Sequence, residues 1–66
     1  MLVRVNGDER DFPDGMTIRS LIEDLGLGAG PIAVEVNRHL VPRAAHESTV
    51  IREGDSVEVV TVVGGG

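Results

Sequence analysis

The chain contains no cysteine, tryptophan, tyrosine or lysine. Without cysteine there can be no disulfide framework, thiolate zinc site or catalytic thiol, and the composition suits a reducing compartment. Phe12 is the single aromatic residue, which leaves no platform on which bases could stack. All six basic residues are arginine, so no ε-amine is available to form a Schiff base or accept an isopeptide bond. Eleven acidic residues outweigh them for a net charge of −5, the opposite of the basic footprint that nucleic acid requires. No apolar run approaches the roughly 20 residues of a membrane span. The opening Met1-Leu2-Val3-Arg4-Val5 lacks the basic region and long apolar core of a signal peptide. These absences lead us to expect a cytoplasmic protein with neither nucleic acid nor membrane among its partners.

What is present is one small domain. At 66 residues there is no room for a second. A domain of this size buries only about 60% of the surface its unfolded chain exposes. That allows a modest core but not a deep pocket with a preorganised catalytic shell. With 41% hydrophobic and 26% charged residues the chain reads as globular.

Residues 2–5 alternate around Arg4 and run into Asn6-Gly7, the strongest short hairpin signal, because both central positions of a type I′ turn need positive φ. Residues 9–12 should return as the second strand. Pro13-Asp14-Gly15 is a turn, and Thr17 is a helix N-cap candidate. Ile18, Leu21, Ile22 and Leu25 recur at helical spacing, predicting a short helix over residues 17–25. Gly26 suits the left-handed position after it, and Leu27 can supply the hydrophobic contact of that cap. The alternating glycines of Gly26-Leu27-Gly28-Ala29-Gly30 do not read as a phosphate cradle, since they follow a helix and open a strand. Residues 32–36 form the third strand, Asn37-Arg38-His39 turns the chain, and Leu40-Val41 is a brief strand stopped by Pro42. Residues 43–50 are expected to be irregular, Arg52-Glu53-Gly54-Asp55 a turn, and residues 56–63 a long final strand.

A hairpin, a helix and further strands predict an α+β fold: a mixed sheet of four to five strands covering one helix. The first and last strands should pair in its centre, the β-grasp arrangement. A β-strand, helix, β-strand crossover would make them parallel. One helix can cover only one face of such a sheet. Alternation assigns Val3, Val5, Val34, Val36, Val57 and Val59 to the helix side. It assigns Arg4, Ala33, Glu35, Glu58, Val60 and Val62 to the other. Valine on an uncovered face has two readings: ordinary β-propensity, or a docking patch. We take Arg4, Glu58, Val60 and Val62 as the candidate docking face.

Catalytic constellations are not apparent. His39 and His46 lie in loop-rich sequence and are expected on the surface, the carboxylates are dispersed, and nothing clusters with metal-ligand spacing. The ending Thr61-Val62-Val63-Gly64-Gly65-Gly66 is different. A glycine run contributes almost nothing to stability. It is either a frayed end or the working part. An α-carboxylate on Gly66 would be ionised at neutral pH and could attack the α-phosphate of ATP to give an acyl-adenylate, from which a sulfur nucleophile displaces AMP. Three glycines reach about 10 Å when extended and, lacking Cβ atoms, can thread a narrow channel in a partner. The organisation expected is a domain over residues 1–63 and a flexible tail over residues 64–66.

Over its whole length the sequence resembles the ThiS family, the sulfur carriers of thiamin biosynthesis. The resemblance rests on the length, on Val36-Asn37-Arg38-His39-Leu40-Val41-Pro42-Arg43, on Glu53-Gly54-Asp55-Ser56-Val57-Glu58-Val59-Val60, and on the closing Gly65-Gly66. It implies a ubiquitin-like β-grasp fold and a carrier that is not itself an enzyme and binds no cofactor. It implies that an adenylating enzyme of the ubiquitin-activating type spends ATP on the Gly66 carboxylate. A persulfide from a cysteine desulfurase or other donor would then make the thiocarboxylate, and thiazole synthase would take up its sulfur. The molybdopterin-synthase small subunit and ubiquitin-like protein modifiers use the same diglycine tail and stand as alternatives.

Overall fold

The structure, a computed structural model, describes residues 1–27 and 30–61 of the chain. Five strands build one sheet: β1 (Leu2–Val5), β2 (Asp8–Asp11), β3 (Ile32–Val36), β4 (His39–Val41) and β5 (Ser56–Thr61). Their order across the sheet is β2-β1-β5-β3-β4. The central pair β1 and β5 runs parallel, with Arg4 beside Ser56 and Val5 beside Val57. Every other pairing is antiparallel. This is the mixed β-grasp sheet expected from the order of elements.

Both hairpins turn on two residues in the left-handed region. Asn6 and Gly7 have φ of 50° and 87°, and Asn37 and Arg38 have φ of 50° and 70°. Turns of this kind match the twist of the strands they join. Helix α1 (Ile18–Asp24) begins where Thr17 Oγ1 accepts from Ser20 N at 3.1 Å. It ends in a Schellman cap: Leu27 N donates to Ile22 O and Gly26 N to Glu23 O, both at 3.0 Å, with Gly26 at φ 75°. A helix this short is not stable alone. Packing holds it, because Ile18, Leu21 and Ile22 are buried against Val3, Val5, Phe12, Val34, Ile51, Val57 and Val59. Backbone bonds tie its start to the segment before β5, from Ile18 N to Thr49 O at 3.0 Å and from Ile51 N to Met16 O at 2.8 Å.

Three expectations need correction. The second strand lies one residue earlier, at Asp8–Asp11, because the two-residue turn hands Asp8 straight to the ladder opposite Val5. The segment after β4 is not wholly irregular. Pro42, with φ near −63°, leads into a 3₁₀ turn over Arg43–Ala45. That turn brings His46 inward, so it is buried at 6% exposure and not on the surface. Its Nε2 lies 3.0 Å from Val41 O, while its own carbonyl accepts from Arg19 N. The cleft beside it, lined by Arg19, Ile22, Gly30, Ile32, Arg43 and His46, holds about 40 Å³, space for water and not for a substrate. Among the described residues no helix is long and apolar enough to cross a membrane.

Candidate functional site

Strand β5 is the spine of the site. It sits in the middle of the sheet, and from Ser56 to Val60 its residues alternate between two environments, with Thr61 exposed as well. Val57 and Val59 point into the core, whereas Ser56, Glu58 and Val60 are exposed. The sheet register extends this exposed set sideways. Val60 lies opposite Ala33, Glu58 opposite Glu35, and Glu35 opposite Leu40. Arg4 lies beside Ser56 and is exposed. Arg4, Glu58 and Val60 therefore share the face that α1 leaves bare, as alternation predicted.

They do not form one compact cluster. Arg4 is level with Ser56, and four residues of β5, about 13 Å at strand rise, separate that level from Val60. Val60 sits near the last described residue, while Arg4 marks the far end of the face. Val62, Gly64, Gly65 and Gly66, the rest of the candidate docking face and the tail, lie outside the described residues.

Two features of this face were not read from the sequence. Leu40 stands at 68% exposure beside Glu35, and Val60 at 56%. The apolar part of the face thus draws on β4 as well as β5. The inward Val41 carried the signal for Leu40, since neighbours on a strand alternate. Glu35 and Glu58 are also directly opposed, and opposed like charges are unfavourable by some tenths of a kcal/mol. Among the described residues neither glutamate is in an ion pair.

The backbone of β5 is held at Ser56 and at Val59 by asparagine side chains from the two turns. Asn6 Oδ1 accepts from Val59 N at 2.8 Å, and Asn6 Nδ2 donates to Val59 O at 3.2 Å. Asn37 Oδ1 accepts from Ser56 N at 3.0 Å, and Asn37 Nδ2 donates to Asp55 Oδ1 at the same distance. Sequence reading assigned both residues to turns alone, because contacts between residues 53 apart for Asn6 and 18 or 19 apart for Asn37 leave no local trace.

Among the described residues no three His, Cys, Asp or Glu side chains gather where a metal ion could sit. What the arrangement provides is a central strand paired on both sides through Val57 and an exposed face of the sheet.

Comparison with known proteins gives a consistent picture. The ThiS family model matches residues 3–66. A thiazole synthase of Paramagnetospirillum magneticum is 36% identical over 66 residues, covering all of this chain and 20% of that protein. The chain therefore spans about a fifth of the length of that relative. The sulfur carrier protein ThiS of Escherichia coli is 26% identical over 66 residues, with both chains covered completely. Among solved structures, the crystal structure of the thiamine biosynthesis protein ThiS from Geobacter metallireducens superposes with a TM-score of 0.85 at 28% identity, again over the whole of both chains.

Proposed function

The chain belongs to the ThiS family of sulfur carriers, and on that premise we propose that the α-carboxylate of Gly66 is its working group. An adenylating enzyme of the ubiquitin-activating type binds the carrier and ATP. The carboxylate oxygen attacks the α-phosphorus, pyrophosphate leaves, and a mixed anhydride with AMP remains. The terminal sulfur of a persulfide, supplied by a cysteine desulfurase or another donor, attacks the carbonyl carbon and AMP departs. A second thiol cleaves the resulting acyl disulfide and leaves the thiocarboxylate. Thiazole synthase then consumes that sulfur in building the thiazole of thiamin. The carrier is substrate and donor throughout, not enzyme. The ATP is bound by its partner, and these steps place it in the cytoplasm.

The observation that carries this reading is the family match, which runs through to residue 66 and so includes the glycine ending. The thiazole synthase relative supports the choice of acceptor, because it contains a segment like this whole chain within its own polypeptide. The exposed face of the sheet supports the mode of docking. Arg4, Glu58 and Val60 are exposed on one face of the sheet, partly apolar and partly charged, and sequence alternation adds Val62 to the proposed docking face. A partner seated there would have the tail at hand for its active site.

The test is ATP–pyrophosphate exchange with the cognate adenylating enzyme. The chain ending at Gly66 should support exchange, while chains lacking Gly66 or extended beyond it should fold normally and give none. Exchange by an extended chain that is not trimmed would overturn the proposal. Intact-mass measurement on protein from native cells adds the second half. Replacement of one oxygen by sulfur identifies the thiocarboxylate, whereas high-mass conjugates would identify a modifier.

A further inference from the structure

Strand β5 outlasts its parallel neighbour. β1 accompanies it only through Arg4 beside Ser56 and Val5 beside Val57, then turns away at Asn6. β3 stays with it on the other side as far as Ile32 opposite Thr61. The stretch of β5 nearest Gly66 is thus laddered to a strand on one side only. On the vacated side Asn6 takes over. Its backbone N–H donates to Val57 O at 2.9 Å, and its side-chain amide exchanges two bonds with Val59, as a peptide group would.

The turn does not require this. A type I′ turn asks of its first residue only positive φ, which Asp or Gly also supplies. Asn37, at φ 50° in the other turn, does the equivalent work at the opposite end of β5, where its side chain and backbone engage Ser56. Two asparagines of the same backbone shape therefore fasten the same strand, one at the end that leads toward Gly66 and one at the end remote from it.

We infer that Asn6 is a positioning residue for the carrier reaction: its amide holds β5 at Val59, and so governs how well the chain beyond that point is presented to the partner's active site. This rests on the function proposed above. A carrier lacking the amide still docks through its unchanged face, but fewer docked molecules deliver their carboxylate. The loss therefore falls on kcat and not on KM.

Asn6→Gly and Asn37→Gly separate this from a general loss of stability. Both positions have positive φ, so glycine is tolerated, and each variant removes two side-chain bonds at one end of β5. In hydrogen exchange on the full chain, Asn6→Gly should lower protection of the Val59 amide on the order of tenfold and leave Ser56 unchanged. Asn37→Gly should do the reverse. In pyrophosphate exchange Asn6→Gly should lower kcat on the order of tenfold at little change in KM, and Asn37→Gly should leave both near wild type. Asn6→Asp, which keeps the acceptor and loses the donor, should fall between. Equal losses of kcat in the two glycine variants, normal kcat in Asn6→Gly, or undiminished Val59 protection would each overturn the inference. If the wild-type chain itself gives no exchange, the carrier reading fails, while the protection pattern still decides whether Asn6 holds the strand.

Discussion

Val57 and Val60 are three residues apart on one strand, and the same substitution should have opposite consequences at each. Val57 is fully buried between its neighbours on β1 and β3. Replacing it with aspartate forfeits about 1.5–3 kcal/mol of apolar burial. It also strands a carboxyl group without partners, at a further 1–3 kcal/mol or so if neutral and more if charged. The sum, about 2.5–6 kcal/mol and more if the carboxyl is charged, is set against a total stability on the order of 3–10 kcal/mol for 66 residues. Much of the Val57→Asp protein should be unfolded before any urea is added. Val60 is 56% exposed. Val60→Asp loses about 1 kcal/mol in strand preference, plus some tenths from the nearby Glu35 and Glu58. With a urea m-value of about 1–3 kcal/mol/M, its midpoint should fall by roughly 0.4–1.5 M. Its binding to the adenylating enzyme should weaken on the order of tenfold or more, because the new carboxylate would be desolvated against an apolar contact. Urea melts and binding titrations on both variants settle the matter. Equal destabilisation would refute the assignment of faces, and a stable Val60→Asp protein that binds normally would place the docking surface elsewhere.

Two further substitutions probe the local devices of the fold. Thr17→Ala removes the oxygen that accepts from Ser20 N and should cost about 1 kcal/mol, read as a lower urea midpoint at unchanged slope. Arg38→Gly should raise that midpoint, since Arg38 holds φ at 70°, a conformation that costs a residue with a Cβ about 1–2 kcal/mol and is only partly offset by glycine's greater entropy when unfolded.

Much of this architecture is legible in the sequence because it is local. Asn6-Gly7 announces a type I′ turn by chemistry alone, the spacing of Ile18, Leu21, Ile22 and Leu25 traces one helical face, and Gly26 with Leu27 closes it. The uncovered face is legible too, since alternation along β1, β3 and β5 needs only the knowledge that one helix covers one side. What escaped was non-local or dependent on a turn's exact exit. His46 comes inside because the 3₁₀ turn after Pro42 folds its segment under β4, and no periodicity in residues 43–50 signals that path. Leu40 joins the open face through its register with Glu35. Asn6 and Asn37 look like turn residues until the strand they fasten, far along the chain, is in place. The separation between Arg4 and Val60 follows from the short overlap of β1 with β5, a matter of register that strand order does not specify.

The choice of β5 as the strand that leads to Gly66 has a mechanical consequence. A partner that draws the carboxylate into its active site pulls on the strand behind it. An edge strand such as β2 or β4 is bonded along one side and could peel away residue by residue. β5 has β1 and Asn6 on one side and β3 on the other, and its Val57 and Val59 are seated in the core. From Ser56 to Val59 its bonds open only as the core itself opens, at close to the full cost of unfolding, whereas Val60 and Thr61 are laddered to β3 alone. On the proposed function, a pull on the carboxylate would therefore be borne by the domain from Val59 inward, and fraying would stop there. On that function the carrier would need no pocket of its own for this task, only a central strand, an accessible face on it, and side chains such as Asn6 that hold the strand at Val59.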